Sequence, residues 1–110
     1  MIKVNGCVIE QNCFPDGTLL MKYDPDERLN VIEWLYESDA ELFALYCLKR
    51  HCDEICMNTC TYLKMYYIPH ARQDRTKTCD DIFTLKYFAE IINSLGFDDI
   101  EVLDPHSSVS

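Results

Sequence analysis

No apolar run in the sequence approaches the ~20 residues that a membrane-spanning helix requires. The opening residues, Met1 to Gly6, lack the apolar stretch of a secretory leader. Positive charge is also scarce: ten Lys and Arg stand against nineteen Asp and Glu, giving a formal charge of −9. A surface of that sign repels a phosphate backbone, so neither a nucleic-acid nor a membrane partner is expected. No Cys-x-x-Cys or His-x-x-x-His spacing occurs among the seven cysteines and three histidines, although structural zinc sites usually draw on such pairs. Internal repeats and low-complexity linkers are missing as well. An odd cysteine count without a leader disfavours a secreted disulfide scaffold, and the expected compartment is the cytoplasm.

What is present is enough for one folded domain. The chain has 110 residues, of which 48% are hydrophobic and 12% aromatic, so it can bury a core. Cys52, Cys56 and Cys60 follow at i, i+4 and i+8, with Cys47 and His51 nearby, and would line one stripe if helical. Free cysteine is readily buried, so core packing is the favoured reading and a cysteine-rich metal-binding module the lesser alternative.

The residue pattern predicts alternating elements. A short strand or hairpin is expected over residues 2 to 10, turning at Asn5-Gly6. Phe14-Pro15-Asp16-Gly17 is turn chemistry, and strands are expected over Thr18 to Tyr23 and Leu29 to Tyr36. Ser38 and Glu41 have the spacing of a capping box, opening a helix to about residue 56. Thr61 to Ile68 reads as a strand, residues 70 to 80 as a polar loop, and Asp81 to Leu95 as an amphipathic helix closed by Gly96. Ile100 to Leu103 makes a last strand. The β-α-β-α-β order implies an α/β fold: a single three-layer domain with a mostly parallel sheet, helices on its faces and an N-terminal hairpin. Ligands of such sheets bind beyond the carboxyl ends of the strands.

Two polar clusters follow directly after predicted strands. His70-Ala71-Arg72-Gln73-Asp74-Arg75 holds half of the chain's four arginines, whose planar donor forks suit phosphate oxygens. Asp104 and His106 flank Pro105, an oxygen and an imidazole able to hold a divalent ion beside a nucleotide.

The stretch Tyr67-Ile68-Pro69-His70-Ala71-Arg72-Gln73-Asp74-Arg75 closely resembles the P-Y-A-R-Q-D-[RK] signature of ribose-phosphate pyrophosphokinases. Phe14-Pro15-Asp16-Gly17-Thr18 is similar to that family's F-S-D-G-E turn, and Val102-Leu103-Asp104-Pro105-His106-Ser107 to its D-L-H-[AS] segment. Thr84 and Lys86 fall where the family carries S-A-K. The resemblance implies a phosphoribosyltransferase-like N-terminal domain that uses Mg²⁺ and ATP to pass diphosphate to ribose 5-phosphate. It assigns Arg72, Gln73 and Arg75 to the nucleotide, Arg72 and His106 to catalysis, and His106 with Asp104 to magnesium. Phe14 and Asp16 would contact adenine from a neighbouring subunit, which implies a homo-oligomer.

The departures from the family are specific. Thr18 replaces a glutamate, His70 a tyrosine and Pro105 a leucine, and the segment before Phe14 is too short for the family's first helix. The family's second domain, with its T-G-G-T ribose-phosphate loop, has no counterpart within the 110 residues. The chain is therefore expected to act as a nucleotide-side domain that is inactive alone; the alternative is a non-catalytic regulatory or assembly homologue.

Overall fold

The structure, a computed structural model, describes residues 1–69 and 82–103. Strands β1 (Ile2–Val4) and β2 (Cys7–Ile9) form a hairpin whose two turn residues, Asn5 and Gly6, have φ of 50° and 86°. That doubly left-handed turn matches the right-handed twist of the strands, and Asn-Gly adopts it at little steric cost. Asn5 also fastens the hairpin to its neighbour. Its backbone N–H donates to Val31 O (3.0 Å), its Oδ1 accepts from Val31 N (2.9 Å), and its Nδ2 donates to Leu29 O (3.1 Å).

The next pair, β3 (Asn12–Cys13) and β4 (Leu19–Leu20), is a separate small hairpin. The strand expected over Thr18 to Tyr23 is cut to two paired residues, because no further strand lies alongside; Met21 and Tyr23 instead pack against the core. Strand β5 (Leu29–Trp34), helix α1 (Ala40–Ile55), strand β6 (Cys60–Met65), helix α2 (Thr84–Ser94) and strand β7 (Asp99–Val102) complete the order. The expected β-α-β-α-β sequence is found, with boundaries trimmed by a few residues. The polar loop expected over residues 70 to 80 lies outside the described residues.

Two expectations about the sheet are corrected. Its order is β2-β1-β5-β6-β7, with β5-β6 and β6-β7 parallel but β1-β2 and β1-β5 antiparallel, so it is mixed rather than mostly parallel. The domain also has two layers among the described residues, not three. Both crossovers step the same way across the sheet, and two right-handed crossovers in one direction lay both helices on one face. Burial agrees. Ile2, Val4, Ile32, Trp34, Leu63 and Met65 form one cluster with Ala44, Leu45, Leu48 and Cys52 of α1 and with Phe88 and Ile92 of α2. Trp34 lies between the helices, its ring 5.9 Å from Phe88 and its Nε1 donating to Glu41 on α1. The opposite sheet face carries Lys3, Val31, Glu33, Tyr62, Lys64, Asp99 and Glu101, none of them buried.

Cysteine placement follows the same frame. Cys52 is in the core, Cys56 caps the end of α1, and Cys60 is exposed on β6. The stripe expected of a continuous helix is broken because α1 ends at Ile55.

Asn30 is fully buried at the amino end of β5 and makes four bonds. Its Oδ1 accepts from Tyr23 OH (2.6 Å) and Asp26 N (3.0 Å), and its Nδ2 donates to Asp26 O (3.0 Å) and Thr59 Oγ1 (3.2 Å). Thr61, its register neighbour on β6, is equally buried, yet its Oγ1 has no partner among the described residues. An unmatched buried hydroxyl costs about 1–3 kcal/mol. Thr61→Val should therefore leave stability unchanged or raise it by about 1 kcal/mol, whereas Asn30→Leu, which strands several partners, should cost about 3 kcal/mol. Urea denaturation of the two variants checks this contrast.

Candidate functional site

The carboxyl ends of the three parallel strands lie side by side, since Trp34, Met65 and Val102 are register partners. From β6 the chain runs through Tyr66, Tyr67 and Ile68 to the buried Pro69, and from β7 it continues to Leu103, whose N–H donates to Met65 O (2.7 Å). Strands β6 and β7 thus end side by side, and in sequence the cluster beginning at His70 follows β6 and the one beginning at Asp104 follows β7. Arg72, Gln73, Arg75, Asp104 and His106 themselves lie outside the described residues.

That edge is braced by aromatic rings. Tyr36, two residues past β5, sits 5.5 Å from Trp34 and 6.2 Å from Tyr67 in an edge-on contact. Tyr67 OH donates to Tyr36 O (3.1 Å), tying the exit of β6 to the β5–α1 turn. Burial and the hydrogen bond to Asp39 push the Tyr36 phenol up to about 12, so it stays protonated and works as a fixed donor.

Glu41, in the first turn of α1, holds the turn itself. Its Oε1 accepts from Glu37 N (2.7 Å), Ser38 N (3.3 Å) and Trp34 Nε1 (3.3 Å). Its Oε2 pairs with the Met1 ammonium and accepts from Gln11 Nε2 (3.4 Å). Ser38 and Glu41 thus form half of the expected capping box. The carboxylate reaches back to the Ser38 N–H, but no side-chain oxygen caps the helix, which starts after Asp39. Burial alone would raise the Glu41 carboxyl. The ammonium and the converging N–H donors outweigh it and bring it down to about 2.

Phe14 and Asp16 occupy the tip of the β3–β4 hairpin. Phe14 N donates to Thr18 O and Gly17 N to Phe14 O, both at 2.8 Å, and Gly17 takes the left-handed φ of 88° that closes the turn. Asp16 Oδ1 accepts from Thr18 Oγ1 (2.6 Å) and Thr18 N (3.0 Å), and these bonds hold its carboxyl below the usual value. Thr18, one of the departures from the family pattern, therefore fixes Asp16. Every residue from Asn12 to Thr18 is exposed, and the Phe14 ring is half open to solvent. The turn is held by its own hydrogen bonds, and its residues face solvent.

Sequence reasoning did not anticipate a groove of about 670 Å³ between the segment after β4 and α1. Leu19, Met21 and Tyr23 line one wall, Phe43, Cys47 and His51 the other. His51 Nε2 lies 2.8 Å from Tyr23 O and anchors the far end.

The Glu41 arrangement sets a pH dependence. Its folded-state value lies below the unfolded one, so its contribution is complete above about pH 5 and is lost as pH falls from there towards about 2. Glu41→Gln should cost about 2–3 kcal/mol near neutral pH and flatten the acid limb of the stability curve, as measured by denaturation from pH 7 to pH 3. An unchanged acid limb in the variant would show that other carboxylates set it.

A scan against protein-family models found no match to this chain, and a search of curated proteins found no significant match either.

Proposed function

We propose that the chain is the nucleotide-side domain of a ribose-phosphate pyrophosphokinase-like enzyme. In that reaction the 1-hydroxyl oxygen of ribose 5-phosphate attacks the β-phosphorus of ATP, the hydroxyl proton is lost, and AMP leaves as the bond to its α-phosphate oxygen breaks. The observation that supports this reading best is that the carboxyl ends of β6 and β7 lie side by side, Met65 being the register partner of Val102 and its O accepting from Leu103 N. The arginine-rich cluster and the Asp-Pro-His cluster follow these strand ends in sequence, and α/β sheets bind nucleotides beyond such an edge.

Each group has a physical role in the proposal. Arg72 and Arg75 neutralise phosphate charge, and Gln73 donates to phosphate or sugar oxygens. The described residues hold no group of three His, Cys, Asp or Glu side chains suited to a metal. The resemblance assigns magnesium to Asp104 and His106, and the ion would supply charge neutralisation at the diphosphate. Few protein ligands suit Mg²⁺, which keeps waters and takes substrate phosphate oxygens. The outward-facing Phe14 ring and Asp16 carboxylate suit an adenine held at a second copy, the ring stacking and the carboxylate accepting from the exocyclic amine. This makes the active unit a homo-oligomer completed by a ribose-phosphate-binding domain. Among the described residues no helix is long and apolar enough to cross a membrane.

Calorimetric titration of the 110-residue chain with Mg-ATP tests the reading. Weak, saturable binding is expected, with Arg72→Ala weakening it at least tenfold, about 1.5–3 kcal/mol for a lost charged contact. Phe14→Ala should weaken it several-fold, and both variants should keep the wild-type circular dichroism. Binding that is absent, or indifferent to Arg72→Ala, would overturn the assignment.

A further inference from the structure

The sheet face turned away from the helices carries a charge order fixed by strand register. Lys3 on β1 is the partner of Glu33 on β5, Glu33 of Lys64 on β6, and Lys64 of Glu101 on β7. Read across the sheet, the row runs plus, minus, plus, minus. None of the four is buried, and no ion pair among the described residues joins any of them. Beside this row, Val31 lies next to Tyr62, and Leu29 next to Cys60. Tyr62 and Leu29 are 36% and 38% exposed, so the row borders an open apolar strip. No described helix covers this face, and at its carboxyl end Tyr66 OH donates to Glu33 Oε2 (3.1 Å).

We infer that this face is a two-fold self-association surface, whose occupant is a second copy of the chain. The argument is one of symmetry and charge. A two-fold axis parallel to the strands and passing between β5 and β6 reverses the row, so that plus, minus, plus, minus meets minus, plus, minus, plus. Lys3 then faces the partner's Glu101, and Glu33 faces the partner's Lys64. Position along the strands is preserved, so Val31 meets the partner's Tyr62 and Leu29 the partner's Cys60. The alternative axis, across the strands, would set Lys against Lys and Glu against Glu. Stacked sheets sit about 10 Å apart, a gap that facing Lys and Glu side chains can bridge. A closed, isologous interface needs this kind of self-complementary patch. With half its contacts charged, the surface suits a reversible dimer that weakens with salt, rather than an obligate one.

Sedimentation equilibrium of the 110-residue chain over a range of concentrations and ionic strengths tests the inference. The wild type should populate a dimer that high salt weakens. Glu33→Lys should weaken dimerisation roughly tenfold or more, because it sets two like-charge contacts across the axis. Lys64→Glu should do the same, and it serves the comparison if Glu33→Lys fails to fold by circular dichroism. The double variant Glu33→Lys/Lys64→Glu restores opposite signs across the axis and should recover the dimer. It should not recover thermal stability, since within each copy it leaves like charges side by side at positions 3 and 33 and at 64 and 101. A chain that is monomeric throughout, a dimer indifferent to both single variants, or a double variant that stays monomeric would overturn the proposal.

Discussion

A carboxylate taken out of water keeps its charge only if donors converge on it, and Glu41 is where this chain meets that constraint. Its oxygens collect a ring N–H from the end of β5, two backbone N–H groups from the turn that follows, and the ammonium at the head of β1. One side chain therefore ties together the start of α1, the turn before it, the end of β5 and the head of β1. The neighbouring aromatic contacts rely on that turn. Tyr36 can meet both Trp34 and Tyr67 only while the turn keeps its shape, and Tyr67 in turn ties the exit of β6 to it.

Strand order decides the rest of the architecture. Because β6 and β7 are added on the same side of β5, both helices fall on one face and one apolar cluster supports the whole domain. The other face is left to charged and half-exposed side chains. The segment before Phe14, expected to hold a strand or hairpin, forms a hairpin that extends the sheet beside β5.

What was legible in the sequence was local. Asn5-Gly6, Phe14-Pro15-Asp16-Gly17 and Gly96 all sit where left-handed backbone is needed, and each turn or cap forms as its residues dictate. Helices α1 and α2 followed from apolar spacing. Layering and strand direction were not legible, since β-α-β-α-β fixes neither the side on which each strand is added nor the partner of an N-terminal hairpin. Thr18 to Tyr23 misled because β-forming residues make a strand only where another strand accepts their hydrogen bonds. At the candidate site, the Phe14–Asp16 turn was readable from its residue types. The work of Glu41 was half readable, because its spacing from Ser38 signalled a cap while its link to Trp34 depends on the fold.

The last strand has a further consequence. Among the described residues β7 is the last strand on its side of the sheet, and an outer strand offers a row of unpaired backbone groups to any passing chain. Here that strand is four residues long and sets the acids Asp99 and Glu101 on its open face. Short length and repeated negative charge discourage another strand from adding there. Part of the chain's acidity therefore guards against open-ended aggregation through the sheet edge.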